Sequence, residues 1–153
     1  DGQYWPIRPL ATCTVWLAID DSTPENGCLK FIKGSHVDQR LKSHNINNNK
    51  NLTLNQELAK EEFNEKEAVD LVLKRGQISL HDVYLVHGSE ANNSPKARRA
   101  ITMRFMPTTS VFDHQMVKDK KLFSKLNASK YADRKIYHMR GKDISGKNNL
   151  TYM

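Results

Sequence analysis

Residues 97–106 read Ala-Arg-Arg-Ala-Ile-Thr-Met-Arg-Phe-Met, and their alternation leaves little choice of local structure. Ala100, Thr102, Arg104 and Met106 fall on one side of an extended chain, and Arg99, Ile101, Met103 and Phe105 on the other. A period of two is that of a β-strand. Ala11 to Ile19, rich in β-branched and aromatic types, reads as a buried strand. The turn residues Asp20 to Gly27 follow, with Asn26-Gly27 as a tight-turn signal, and Cys28 to Lys33 reads as the return strand, ending at Gly34-Ser35-His36. Ala68 to Leu73 and Gln77 to His81 read as further strands either side of a Lys74-Arg75-Gly76 turn, and Tyr84 to His87 ends the second or starts the next. Short strands, turn signals and little helix point to a sandwich or barrel.

The remainder is weaker in pattern. Residues 37–67 are polar, with the low-complexity run Asn45 to Asn51 and at most one short, poorly spaced helix from Leu54 to Glu67, so they read as an insertion between strands. Residues 115–130 read as weakly helical. The division is thus one partial catalytic domain over 1–153, with a core of 1–36 and 68–108, an insertion of 37–67 and a basic tail of 109–153. A chain of 153 residues has the length of one domain with a real core.

Net charge is +7, with many of the lysines and arginines after residue 117. No zinc-finger spacing or stacking array accompanies them, so a solvated basic tail or attraction of an anionic substrate is favoured over a nucleic-acid-binding β-barrel. No apolar run approaches the roughly 20 residues that span a bilayer. Cys13 and Cys28 lie in apolar, strand-like runs and read as buried thiols of a reducing compartment, which makes the expected location cytoplasmic.

Two stretches carry chemistry. The chain opens on Asp1-Gly-Gln-Tyr-Trp-Pro-Ile-Arg-Pro, and residues 81–99 place His87 at the end of an apolar run with Arg98 and Arg99 eleven and twelve residues later. A carboxylate and a distant imidazole, each on a strand, can supply two of the three ligands of a 2-His-1-carboxylate iron site. An arginine nearby can hold the far carboxylate of a keto acid. Each has a plainer reading: Asp1 as an exposed terminal acid, His87 as a hydrogen-bonded core histidine, Trp16 as core, and either arginine as a surface ion pair. Strand alternation sends Arg98 and Arg99 to opposite faces. His36 reads as a turn cap, while His44, His114 and His138 lie in polar segments and receive no role.

Asp1-Gly-Gln-Tyr-Trp-Pro, Thr14-Val-Trp-Leu-Ala-Ile, Asn26-Gly-Cys-Leu, Gly34-Ser-His, Gly76-Gln-Ile-Ser-Leu-His, His87-Gly-Ser-Glu-Ala-Asn and Arg98 occur in that order. In order and spacing the set resembles the phytanoyl-CoA dioxygenase family of iron(II)/2-oxoglutarate oxygenases. The resemblance implies a mainly β double-stranded β-helix, the jelly-roll core of cupin-like proteins, here lacking its N-terminal helices and first strand. It implies an oxidoreductase that uses iron(II), 2-oxoglutarate and O2 to hydroxylate a small organic substrate, releasing succinate and CO2, with no nucleic-acid or membrane partner. By the same resemblance Asp1 and His87 are metal ligands, Arg98 and Ser89 hold the cosubstrate carboxylate, Trp16 lines its pocket and Tyr4 is a wall residue. His81 matches a family histidine but lies six residues from His87 and reads as a neighbour of the site. The family motif puts a further histidine two residues before the aspartate, a position these residues do not contain, so the fragment alone is expected to be inactive. The alternative is a cupin-like binding domain without a working metal centre.

Overall fold

The computed structural model describes residues 2–49, 56–118 and 133–152. A 3-10 turn at Gly2–Tyr4 leads to β1 (Ile7–Arg8), β2 (Cys13–Ala18) and β3 (Leu29–Ile32). The insertion carries β4 (His44–Ile46) and β5 (Gln56–Leu58), paired antiparallel. Then come β6 (Ala68–Leu71), β7 (Ile78–Asp82), β8 (His87–Ser89) and β9 (Ala100–Phe105). β10 (Val111–Phe112), α1 (His114–Lys118), β11 (Ile136–Tyr137) and β12 (Leu150–Thr151) complete the described elements.

Two three-stranded antiparallel sheets form the core, β7-β2-β9 and β6-β3-β8. The chain changes sheet between β2 and β3, β6 and β7, β7 and β8, and β8 and β9, the winding of a double-stranded β-helix. Pairing places Thr14 opposite His81 and Arg104, Trp16 opposite Ser79 and Thr102, and Ala18 opposite Ala100. Paired residues share a face, so these side chains form one inner surface. Thr14, Trp16 and Ala18 are buried accordingly. The second sheet faces it: the Phe31 ring lies 5.3 Å from that of His81. Trp16, Ala18 and Leu73 pack between the sheets, and Tyr4, Trp5, Ile7, Val83 and Phe112 form a second cluster.

Several expectations are corrected by this arrangement. Asn26-Gly27 does not close a hairpin, because β2 and β3 belong to different sheets. Pro24–Asn26 instead forms a 3-10 turn that ends on Gly27, at φ 74°. A Cβ at Gly27 would lie 2.5 Å from the Glu90 carbonyl oxygen, so both conformation and space require glycine. Cys13 is exposed while Cys28 is buried, and neither forms a disulfide. Alternation explains Cys13: with Thr14, Trp16 and Ala18 inward, it must face out. The short helix expected within 54–67 is replaced by two 3-10 turns, Lys60–Glu62 and Glu65–Glu67, with residues 50–55 outside the described set. Of the helix expected at 115–130, α1 lies within the described residues, and 119–132 lie outside them.

The segment after residue 108 also supplies core. β10 pairs with β1, setting Ile7 opposite Phe112, and Phe112 is buried. Asn148 fastens it, accepting from the Phe112 amide at 2.9 Å and donating to the Ser110 carbonyl at 2.9 Å. The described basic residues there, such as Lys118, Lys135, Lys142 and Lys147, are exposed.

Candidate functional site

His87 opens β8, where it pairs with Phe31 and points towards β7. Its ring lies 5.2 Å from that of His81 and 6.0 Å from that of Phe31. The turn before it is pinned by the Gly34-Ser35 corner: the Val86 amide donates to Ser35 Oγ at 2.8 Å, and the Ile32 amide donates to the Val86 carbonyl at 3.0 Å. Ser35 therefore fills the turn role expected of His36, which is exposed. His87 Nδ1 lies 2.8 Å from the Leu85 carbonyl oxygen. Donating there, the ring keeps its lone pair on Nε2, the atom a metal would take. Burial, and further the charge of Arg104, push the His87 pKa down, against the Leu85 hydrogen bond, so the imidazole stays neutral at neutral pH.

His81, on the inner face of β7, is buried, and its Nδ1 has no hydrogen-bond partner among the described residues. Burial first, then the charges of His87 and Arg104, lower its pKa from 6.5 to about 4. The unfolded chain therefore binds this proton before the folded one does. The stability tied to neutral His81 is fully present above pH 6.5 and falls as the pH drops towards 4. A shift of that size corresponds to roughly 3 kcal/mol at most. Carboxylates held down by arginine, such as Glu62 at about 2, release their share only below the ordinary carboxylate range, so the windows separate. Urea-unfolding midpoints should fall between pH 7 and pH 4.5, and His81→Phe, which removes the titrating ring, should recover about half of that fall. An unchanged fall in the variant would exclude His81 as its source.

The two arginines before β9 diverge. Arg99 is exposed and forks onto Asp20, with Nε to Oδ2 at 2.9 Å and an Nη to Oδ1 at 2.8 Å. The Arg99 hydrogen bonds hold the Asp20 carboxyl well below the usual carboxylate range. Arg98 turns the other way. It is half-buried, its Cζ lies 5.9 Å from the Trp16 ring centroid, and its Nε is buried without a hydrogen-bond partner among the described residues. Asn26 steadies this approach: its side-chain amide donates to the Asp21 carbonyl at 2.8 Å and to the Ala97 carbonyl at 3.2 Å, just before Arg98.

The structure thus brings Arg98 and Trp16 together, with His87 and His81 facing each other between the sheets. Ser89 shares β8 with His87 but is exposed and makes no hydrogen bond to Arg98 among the described residues. Tyr4 is buried in the cluster around Trp5 and Phe112, not beside Trp16. Asp1 lies outside the described residues. Among the described residues no group of three His, Cys, Asp or Glu side chains could hold a metal. His87, neutral and oriented through Nδ1, nonetheless fits the part of an imidazole ligand. No described helix is long and apolar enough to cross a membrane. Motif reading missed Arg104, whose Cζ lies 4.0 Å over the Trp5 ring. Its signal was parity: a lone arginine on an inner face otherwise carrying Ala100 and Thr102.

The phytanoyl-CoA dioxygenase (PhyH) family model matches residues 1–100. A phytanoyl-CoA dioxygenase domain-containing protein 1 homolog of Dictyostelium discoideum is 35% identical over 108 residues, covering 69% of this chain and 38% of that protein. The human peroxisomal phytanoyl-CoA dioxygenase is 31% identical over 108 residues, covering 69% and 31%. The chain spans less than two fifths of the length of these curated relatives. Among solved structures, the apo non-heme monooxygenase ThoJ aligns with TM-score 0.60 at 25% identity over 72% of this chain and 39% of its own. The epimerase SnoN, solved with Fe3+, alpha ketoglutarate and nogalamycin RO, aligns with TM-score 0.54 at 23% identity over 73% and 42%, a likeness of fold.

Proposed function

The chain belongs to the phytanoyl-CoA dioxygenase family, and from that premise we propose that it is the main part of the catalytic core of an iron(II)- and 2-oxoglutarate-dependent dioxygenase acting on a small organic substrate. The observation that carries the reading is Arg98: an inward guanidinium over Trp16, with a buried and unpartnered Nε, between the same sheets as a neutral His87. A guanidinium so placed is suited to fork onto the distal carboxylate of 2-oxoglutarate, with Trp16 as the flat wall beneath it. Ser89 adds a hydroxyl to that carboxylate once its strand is covered, and Tyr4, in the Trp5 cluster, is a wall residue of the interior away from Trp16. His87 Nε2 and the Asp1 carboxylate are the metal ligands from this chain, and the third is the histidine two residues ahead of Asp1 in the family motif.

Iron(II) with 2-oxoglutarate supplies O2 activation at such a site, yielding succinate, CO2 and an oxidised substrate. The chain's own share is to hold and orient. Leu85 fixes the His87 tautomer, Phe31 and His81 crowd the ring from the sides, and Arg98 sets the cosubstrate's direction. With both cysteines unpaired, a reducing compartment such as the cytoplasm suits the protein.

The test is succinate formation from 2-oxoglutarate with iron(II) and O2. Protein that carries the upstream histidine should release succinate, and the 153-residue chain alone should release little or none. No succinate from the longer protein, with iron and cosubstrate bound, would overturn the oxygenase reading. A chain alone as active as the longer protein would show that the third ligand lies among its own histidines, beginning with His81.

A further inference from the structure

Arg98 precedes β9 and belongs to no strand, yet its backbone is held on both sides. A side chain's direction is set by the two peptide planes that meet at its Cα. The plane before Arg98 carries the Ala97 carbonyl, and Asn26 Nδ2 donates to it at 3.2 Å. The plane after it carries the Arg99 amide, which donates to Asp20 Oδ2 at 2.8 Å. The Arg99 carbonyl accepts in turn from the Ile19 amide at 3.0 Å and the Asp20 amide at 3.4 Å. All these partners lie within residues 19–26, the crossing from β2 to β3.

The crossing is itself fixed. Asn26 is 2% exposed, donates also to the Asp21 carbonyl at 2.8 Å and accepts from the Thr23 amide at 2.8 Å. Ser22, fully buried, exchanges both backbone hydrogen bonds with Leu73, at 2.8 and 3.0 Å. The Arg75 amide donates to Asp21 Oδ1 at 2.8 Å. Alternation tells the side to which Arg98 turns; this grip sets where on that side its guanidinium rests, with Cζ 5.9 Å from the Trp16 ring centroid. A small rotation at the Cα of so long a side chain becomes a large displacement at its tip. A misplacement of about 1 Å can cost on the order of a hundredfold where orientation matters.

We propose that Asn26 and Asp20 are positioning residues for cosubstrate binding: they fix the peptide planes on either side of Arg98 and so aim its guanidinium at the distal carboxylate of 2-oxoglutarate. The word cosubstrate rests on the oxygenase reading; the aiming of Arg98 does not. Asp20 thereby acts through a backbone amide, apart from its surface pair with the Arg99 side chain.

The test uses the protein that carries the upstream histidine. It follows the Arg98 Nε–H resonance by NMR without metal, and the 2-oxoglutarate dissociation constant by calorimetry with iron(II) bound. Asp20→Ala should move the resonance and weaken binding about fivefold, and Asn26→Ala about tenfold. Arg99→Ala keeps both backbone bonds, so it should leave the resonance in place and binding within about twofold. Asp20→Asn, whose side-chain oxygen still accepts from the amide, should also bind within about twofold of wild type. In an Arg98→Ala background neither Asp20→Ala nor Asn26→Ala should cost more than about twofold further. An Arg98 resonance unmoved by both alanine variants would overturn the proposal, as would unchanged binding in both while Arg98→Ala loses it. So would losses that persist in full without Arg98, or an iron(II) affinity that falls as far as that for 2-oxoglutarate, the mark of a general loosening. If Asn26→Ala does not fold, Asp20→Ala against Asp20→Asn decides alone. A resonance that moves while Arg98→Ala leaves 2-oxoglutarate binding intact would uphold the aiming and count against the oxygenase reading.

Discussion

Arg98→Ala weakens 2-oxoglutarate binding about a hundredfold, while Arg99→Ala leaves it within about twofold. The expectation follows from where the two neighbours go. Arg98 turns inward over Trp16 with a buried Nε that no described residue satisfies, so a carboxylate there gains a forked, charge-assisted contact in a half-buried setting. Arg99 spends its fork on Asp20 at the surface, and its loss touches only an exposed pair. Arg98→Lys, with the charge but not the fork, should fall between the two. Calorimetric titration of 2-oxoglutarate into the iron(II)-loaded proteins reads the order directly. Equal effects, or a larger one from Arg99→Ala, would remove Arg98 from the cosubstrate site.

Strand identities were legible wherever the alternation was clean. Cys13 to Ala18 and Ala100 to Phe105 form strands within the spans read from sequence, and the divergence of Arg98 and Arg99 follows from parity alone. The partners of those strands were not legible. Asn26-Gly27 carries the signal of a hairpin, yet the buried Asn26 side chain, bonded to Asp21 and Ala97, ties a crossing between two sheets. A local turn signal cannot tell a return from a crossing when the deciding bond is 71 residues away. An apolar run does not say whether both of its faces are covered, and Cys13 lies on the open outer side. Composition marks the segment after residue 108 as a basic tail, yet one pairing with Ile7 puts Phe112 in the core. At the site, His87, Trp16 and Arg98 stood out through ordered motifs. Arg104 did not, since an arginine in a strand draws attention only once its face is known to be internal.

The central claim is that His87, not His81, is the imidazole this chain gives to iron. Both rings are neutral, and they lie 5.2 Å apart between the sheets. They differ in orientation: His87 Nδ1 faces the Leu85 carbonyl, which fixes the tautomer and the direction of its ring, whereas the His81 Nδ1 is buried with no described partner. Loss of outer-shell partners alone commonly lowers metal affinity about 10–100-fold, and loss of a direct ligand should cost at least as much. The deciding measurement is the iron(II) dissociation constant of the protein that carries the upstream histidine, compared with its His87→Ala and His81→Phe variants. The account predicts a rise of about a hundredfold or more for His87→Ala and less than about fivefold for His81→Phe. A tight site that survives His87→Ala but is lost in His81→Phe would contradict it.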